Sequence, residues 1–554
     1  MSKIYNVRTG IFLLAACCGL FLTATAAPAQ DVTVGPQVRI DAGGTATANE
    51  TTMASLHDHP NEVVGGWNDY RMGQYRTGIS VSNDYGVTWT DMLLRPPAAH
   101  QGATEGDPMT CYDNRTGTLW AGGMSWTSNG GVFVARKDPG ASTFQPAVMT
   151  IVSGGIDKGW LAAGIVPGDP DSTRVYHTFN YGCQHSTDMG DSWTYPTSLG
   201  SGIGFLPKVG PGGELYVTYW DYYDGVMLRR SLDGGVSFES PITIATRMDV
   251  WETHGSDRFP GTFRVPSLNG LAVDPNDGTL YCTYFDTTGW DGGNRNVDAY
   301  LTASTDQGST WTTPQVINGD SSPAGDQLWP WIEVDEEGRL HVLYLDSRHT
   351  VQDDGTQHGM FDAYYALSVD GGASFTEYRL TPSSFDSYYA GGSSQFLGDY
   401  LGLGVGGDYV YPCYPSTQNG DPDIFTNVIT VSSNQTVETS LTCQPSLVML
   451  PATVGMSVTM ENVAPGETRR VAGNISVELG GGAVYNNWRA GWTNLGPGET
   501  WSTSWQQYLP DFPALVGSNR FTFTAEDVTP APYNQPPYMP SGDTDVTTCS
   551  VSGI

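Results

Sequence analysis

The sequence predicts an all-β chain of repeated small sheets, followed by a second, smaller β domain. Three observations carry that expectation: the composition, an octamer that recurs five times, and the disappearance of that octamer after Leu441. The chain has 554 residues with 69 Gly, 35 Pro and 11% aromatic residues. Tyr, Trp, Val and Thr recur in short runs broken by Gly, Asp and Asn, the pattern of strands joined by tight turns. Beyond the first thirty residues no long segment places apolar residues at helical spacing. The length exceeds one ordinary domain.

The first element is a leader. Lys3 and Arg8 give a basic start, Ile11 to Ala27 are apolar, and Ala27-Pro28-Ala29 is a small-residue cleavage site. These features predict a signal peptide over 1–29 and a secreted, extracellular, periplasmic or surface protein. Leu14-Ala15-Ala16-Cys17 also has the form of a lipoprotein box, but the apolar stretch runs on past Cys17. No other segment is long and apolar enough to predict an integral membrane protein.

The octamers follow. SNDYGVTW (82–89), STDMGDSW (186–193), SLDGGVSF (231–238), STDQGSTW (304–311) and SVDGGASF (368–375) share Ser-x-Asp-x-Gly-x-Ser/Thr-Trp/Phe. Each residue type suits a β-hairpin turn. The carboxylate accepts from turn N–H groups, Gly supplies a positive φ, and the aromatic ring packs beneath. Asp84, Asp188, Asp233, Asp306 and Asp370 are therefore assigned a structural role; a structural Ca²⁺ there is the alternative, and no other cofactor is expected. Successive octamers start 104, 45, 73 and 64 residues apart. The first gap has room for a hidden unit, and RKDPGASTF (136–144) reads as its decayed octamer.

This octamer resembles the Asp box of the sialidase-like, or BNR-repeat, propellers. The resemblance covers residues 31–435 and implies a β-propeller, with the box between the third and fourth strands of each blade. The spacing predicts seven blades, with six, the family's number, as the alternative. AVDPNDGTLYCTYFD (272–286), EVDEEGRLHVLYLD (333–346) and VGPGGELYVTYWD (209–221) mark inner strands. The last unit lacks a fourth strand, and PQVRID (36–41), similar to PQVIN (314–318), is the candidate to close it.

Residues 441–554 carry no box. GMSVTMENVAPGETRRVAGNISVELG and NLGPGETWSTSWQQY predict strands of an immunoglobulin-like sandwich. That domain is either a spacer or a glycan-binding surface using Trp488, Trp492, Trp501 and Trp505. TPAPYNQPPYMPSGD (529–543) is expected to be extended. The mature chain keeps six Cys without close Cys/His clustering, which argues against structural zinc. Cys443 and Cys549 bracket the last domain, and Cys282 reads as a core residue.

The formal charge of −33, with only four Lys, repels nucleic acid and anionic membranes. The resemblance places ligands at the heads of the inner strands, and there the chain offers acidic and aromatic residues with a few Arg. Asp326, Asp399 and Asp107 are the candidate catalytic carboxylates. Arg264, Arg258, Trp329, Tyr400, Glu105, Asp157 and Lys158 are the candidate substrate contacts. Carboxylates for acid–base work beside aromatic faces suit a sugar, so a glycan or glycoconjugate is the expected partner. The resemblance implies a glycoside hydrolase; a lyase variant would draw on His254 and Tyr400. The sialidase set of three Arg and a Tyr–Glu pair is not found. Phe263-Arg264-Val265-Pro266 has the look of its first Arg motif but stands after the third box. A non-catalytic glycan- or protein-binding module is therefore the rival reading.

Overall fold

A computed structural model describes residues 30–41, 44, 46–246, 263, 265–266, 268–291, 294–320, 325–349, 359–390, 396–433 and most of 437–553. For 30–31, the segment 288–296, and 433 onward, it describes backbone only. The leader, Arg258, Arg264 and His254 lie outside the described residues. Among those described, no helix is long and apolar enough to cross a membrane.

Among the described residues between 30 and 433 there are seven antiparallel sheets, six of four strands and one, that of blade 6, with Phe385–Asp386 as a fifth. Blade 1 is Ala48–Ser55, Val63–Asp69, Arg76–Ser82 and Thr90–Leu94. Blade 2 is Glu105–Asp113, Thr118–Ser125, Gly131–Lys137 and Val148–Val152. Blade 3 is Trp160–Val166, Asp169–Phe179, Gly182–Ser186 and Thr197–Ser198. Blade 4 is Ile203–Val209, Leu215–Asp221, Gly225–Ser231 and Ile242–Ala245. Blade 5 is Gly270–Val273, Leu280–Asp291, Asn294–Ser304 and Gln315–Val316. Blade 6 is Gln327–Val334, Leu340–Asp346, Met360–Ser368 and Thr376–Arg379. Each first strand touches the first strand of the next blade, and the circuit closes from blade 7 back to blade 1. The structure is therefore a seven-bladed β-propeller, and its first strands line the axis. They are buried on both faces, as in Ala48–Ser55 and Gln327–Val334, which is why the period-2 alternation of a half-exposed strand is absent there.

Blade 7 is Gly402–Gly406, Tyr409–Ser416 and Asp423–Ser433, closed by Gln30–Arg39 from the other end of the chain. Val38 pairs with Thr426 and Arg39 with Phe425. The expected closing strand is thus in place, and it begins earlier than PQVRID. Arg39 ties the closure to Asp41 at 2.6 Å and Asp423 at 2.7 Å. Ring closure pairs sheet edges that would otherwise template aggregation. One expectation shifts: AVDPNDGTLYCTYFD and its relatives run from the end of a first strand through the turn into the second. The long apolar run is the second strand, because the first is short and interrupted by polar residues at its head.

Every intact box occupies the turn between third and fourth strands. In the first, Asp84 Oδ1 accepts from Thr88 N at 2.8 Å and Oδ2 from the Thr88 hydroxyl at 2.6 Å. Ser82 Oγ accepts from Gly86 N at 2.8 Å, and Trp89 Nε1 donates to Gly86 O at 2.9 Å. Asp188, Asp233, Asp306 and Asp370 repeat the carboxylate contacts with Ser192, Ser237, Thr310 and Ser374. These bonds hold the Asp188 carboxyl down to about 2, the Ser192 hydroxyl contributing most. In blade 2 the decayed box puts Lys137 where the others have Ser. Lys137 is wholly buried and pairs with Glu62 of blade 1, whose other oxygen accepts from Gly140 N at 3.2 Å. A carboxylate from the neighbouring blade thus takes over the task of the lost Asp. Between these blades Ala54, Val64 and Ile79 pack on Leu119, Ala121 and Phe133, each large side chain contributing roughly 1.5–3 kcal/mol by burial.

Beyond residue 436, eight strands form two sheets. Val437–Gln444, Ala452–Asn462 and Thr500–Leu509 make one. Leu447–Val448, Thr544–Gly553, Gly517–Asp527, Arg469–Glu478 and Val484–Leu495 make the other. The first sheet contacts the second through Val437–Gln444 and Thr544–Gly553. The four Trp residues of this part and the Cys443 and Cys549 side chains lie outside the described residues, as does 529–543.

Candidate functional site at the heads of the inner strands

First and third strands of a meander run the same way, so the Asp-box turns and the ends of the inner strands share one face. The heads of the inner strands open on the other. Among the described residues, seven non-glycine residues have positive φ. Tyr85, Met189 and Gln307 sit in Asp-box turns, where such a φ is part of the turn. The other four stand at inner-strand heads: Glu50 (58°), Asp107 (47°), Lys158 (52°) and Trp329 (55°). Gly204 and Gly398 hold the same place in blades 4 and 7. In blades 1, 2, 4 and 6 the register shifts here, between Asn49 and Thr52, Gly106 and Met109, Ile203 and Leu206, Leu328 and Trp331. A left-handed conformation costs an L-residue of order 1 kcal/mol, and a bulge re-aims its side chain.

The re-aimed side chains of blades 7, 1, 2 and 3 meet. Lys158 Nζ lies 2.5 Å from Asp399 Oδ2, 2.9 Å from Glu50 Oε1 and 3.9 Å from Asp107 Oδ2. Asn68 joins two of them: its Nδ2 donates to Glu50 Oε2 at 2.6 Å, and its Oδ1 accepts from Asp107 N at 2.8 Å. All four charged groups are buried. Burial pushes the Glu50 carboxyl up to about 8 against the pull of Lys158, with Asp107 and Asp399 adding to the rise. Lys158 is held well above its ordinary value: burial works against the ammonium, and Asp399, Glu50 and Asp107 outweigh it. Burial, with Asp107 next, raises the Tyr75 phenol to about 12. The arrangement therefore holds one carboxyl that burial shifts toward its neutral form beside two further carboxyl groups.

An aromatic plug closes the axis beneath. Two residues after the left-handed position in blades 3, 6 and 7 come Trp160, Trp331 and Tyr400. Trp160 stacks on Trp331 with centroids 5.1 Å apart and meets Tyr400 at 4.4 Å. Tyr400 donates to Pro108 O at 3.2 Å, and its ring centroid is 5.9 Å from Lys158 Nζ. A cavity of about 410 Å³ lies on the Asp-box side of the plug, lined by His57, Lys208 and Glu333 and by none of the cluster's carboxylates.

Of the residues singled out from the sequence, Asp107, Lys158, Asp399 and Tyr400 come together here. Glu105 is instead held by Arg95 at 2.5 Å and by Gly102 N at 3.0 Å. Asp157 is half-buried, and its backbone pairs with Asn180. Asp326 heads blade 6, where its Oδ1 accepts from Val297 N at 3.1 Å. Trp329 is buried, donates to Pro266 O at 3.1 Å and packs on Phe263. Glu50, Asn68 and Tyr75 were missed. Glu50 was legible by position: TANETTMAS is the inner-strand head of blade 1, which, like that of blade 4, supplied no candidate. Asn68 comes from the second strand and Tyr75 from the turn just before the third, and no local pattern marks them. Among the described residues, no group of three or more His, Cys, Asp or Glu is placed to hold a metal ion.

The ring of seven sheets with its box turns makes the described part of residues 30–433 a seven-bladed propeller. No protein-family profile and no curated protein matches the chain. Solved structures do. An α-L-arabinanase from Penicillium chrysogenum, complexed with arabinobiose, is 14% identical over 72% of this chain and 98% of its own, with a TM-score of 0.38. A NanB sialidase mutant from Streptococcus pneumoniae is 12% identical over 73% and 71%, TM-score 0.36. The BP39L lectin from Burkholderia pseudomallei is 13% identical over 70% and 97%, TM-score 0.42.

Proposed function

We propose that the chain is a secreted glycan-active protein, a glycoside hydrolase of the sialidase-like type that works at the inner-strand heads. The observation that carries the reading is the pairing of a buried Glu50, its carboxyl raised by burial, with Asp107 across Asn68 and Lys158. Glycoside hydrolysis needs one carboxylic acid to protonate the leaving oxygen and one carboxylate on the other side of the bond. A carboxyl that burial raises is suited to the acid role. Glu50 takes the acid role and Asp107 the carboxylate role; Lys158 and Asp399 position them. Backbone strain gathered at these heads, outside any box turn, supports a site selected for function.

The test is release of reducing sugar from a panel of glycans by the wild type and by Glu50→Gln, Asp107→Asn, Asp399→Asn and Asp326→Asn. Loss of turnover by at least about 10²-fold in Glu50→Gln and Asp107→Asn, with folding retained, is expected. Full activity in both ends this assignment; loss confined to Asp326→Asn would move the chemistry to blade 6.

One observation favours the binding-module reading: the cluster is buried and its groups already bond to one another. Glycan binding on an array with no product in the release assay would establish that alternative.

A further inference from the structure

We infer that the groove beside Trp126 is a subsite for a neutral sugar unit, one that holds a glycan whose reacting end lies at Glu50 and Asp107. The second half of that statement rests on the hydrolase reading; the subsite itself does not. Trp126 follows the second strand of blade 2 and so stands on the same face as the carboxylate cluster. Its ring is 39% exposed, and it forms one wall of a groove of about 370 Å³. The other walls are Thr127, Ser128, Ser153, Gly154 and Gly155 together with apolar residues, and no charged residue lines the space. Hydroxyl groups, open backbone and one indole face are what a neutral pyranose or furanose needs: a flat apolar surface for its C–H face and short-reach partners for its hydroxyls. An acidic sugar would find no cation there and would face a protein of charge −33.

Ring contacts link the groove's indole to the site. Trp126 packs edge-on against Tyr75 at 5.4 Å, and Tyr75 against Tyr70 at 5.5 Å. Tyr75 also feels the Asp107 and Glu50 charges. An aromatic row therefore leads from the buried carboxyls to the exposed indole, and a glycan of several units can follow it.

The loop that carries Trp126 is set before any ligand arrives. Gly130 N donates to Thr127 O at 2.9 Å, Asn129 Nδ2 to Ala99 O at 3.2 Å, and the Ser125 hydroxyl to His100 O at 2.7 Å. A Cβ on Gly130 would sit 2.0 Å from Ser125 O, and one on Gly131 2.0 Å from Ile151 O. Both positions therefore require glycine for the close approach of backbone. Gly154 differs: a Cβ there meets nothing within 4 Å. A side chain grafted at Gly154 enters the groove without disturbing the fold.

The experiment uses the full chain and two variants. Trp126→Ala removes the stacking face, and Gly154→Phe fills the groove. Binding is read on an array of neutral arabino-, xylo-, manno- and galacto-oligosaccharides beside sialylated and sulfated glycans, with melting temperatures as the folding control. The wild type is expected to bind neutral chains, and each variant to lose affinity by about tenfold or more with melting unchanged. If the chain also cleaves the bound glycan, KM rises in the variants and kcat holds. Wild-type preference for acidic glycans, no glycan binding at all, or undiminished binding by both folded variants would overturn the subsite. Neutral-chain binding without cleavage would leave the subsite standing and remove the hydrolase reading instead.

Discussion

Glu50 is the residue on which the proposed chemistry turns, and its ionisation has a consequence for stability. Its carboxyl is raised from an ordinary 4.5 to about 8 in the folded protein, chiefly by burial. Below pH 4.5 both folded and unfolded chains hold the proton, and the group is neutral in its effect. Above 4.5 the unfolded chain releases the proton first, so this group weakens the fold progressively until pH 8, where the loss levels off. The slope from one such group is at most about 1.4 kcal/mol per pH unit. Thermal melting followed from pH 5 to 8 is therefore expected to fall in the wild type and to fall less in Glu50→Gln. That variant also loses one acceptor for Asn68 or Lys158, so its curve starts lower by about 1–3 kcal/mol at the acid end and converges on the wild type's as pH rises. An equal slope in both proteins would show that Glu50 ionises normally. The hydrolase reading adds that turnover declines as pH rises past about 8, where the acid form is lost.

At the scale of the element, the blade 2 turn is a substitution experiment already performed. Where five turns carry their own Asp, this one borrows Glu62 from blade 1 and neutralises it with buried Lys137. Lys137→Met strands the Glu62 carboxylate between two sheets and is expected to cost about 3–5 kcal/mol in urea denaturation. Lys137→Met combined with Glu62→Met should recover most of that loss, short of the hydrogen bond to Gly140 N. A single-variant loss below about 1 kcal/mol would mean the pair is solvated. This turn also shows what a sequence can disclose. The intact boxes mark their turns because all the partners lie within eight residues, Ser82 to Trp89 for example. RKDPGASTF marks a turn by its Gly and closing Phe, but nothing local announces that Glu62 would supply the carboxylate. The site follows the same rule. Asp107, Lys158, Asp399 and Tyr400 were found by position in the repeat, whereas Asn68 and Tyr75 enter through pairing of strands that no periodicity orders.

Across the whole molecule, the ring is closed by a single strand drawn from the chain's beginning. Removing residues 30–41 would leave Asp423–Ser433 as an open edge and take away the Arg39 bridges to Asp41 and Asp423. The truncated protein is expected to melt earlier than the intact one and to self-associate in size-exclusion chromatography through that edge. A monomer with unchanged melting would show that six complete blades suffice to hold the ring. The same closure sets an order in time. The strand that locks the circle is made before any other strand of the ring, yet its partner, around Phe425, is made only after six blades. Until then the early segment has nowhere to dock, and the pairing that finishes the structure spans nearly four hundred residues. Such distant pairings form slowly, so the last step of folding should be the joining of the two ends, with six sheets already waiting.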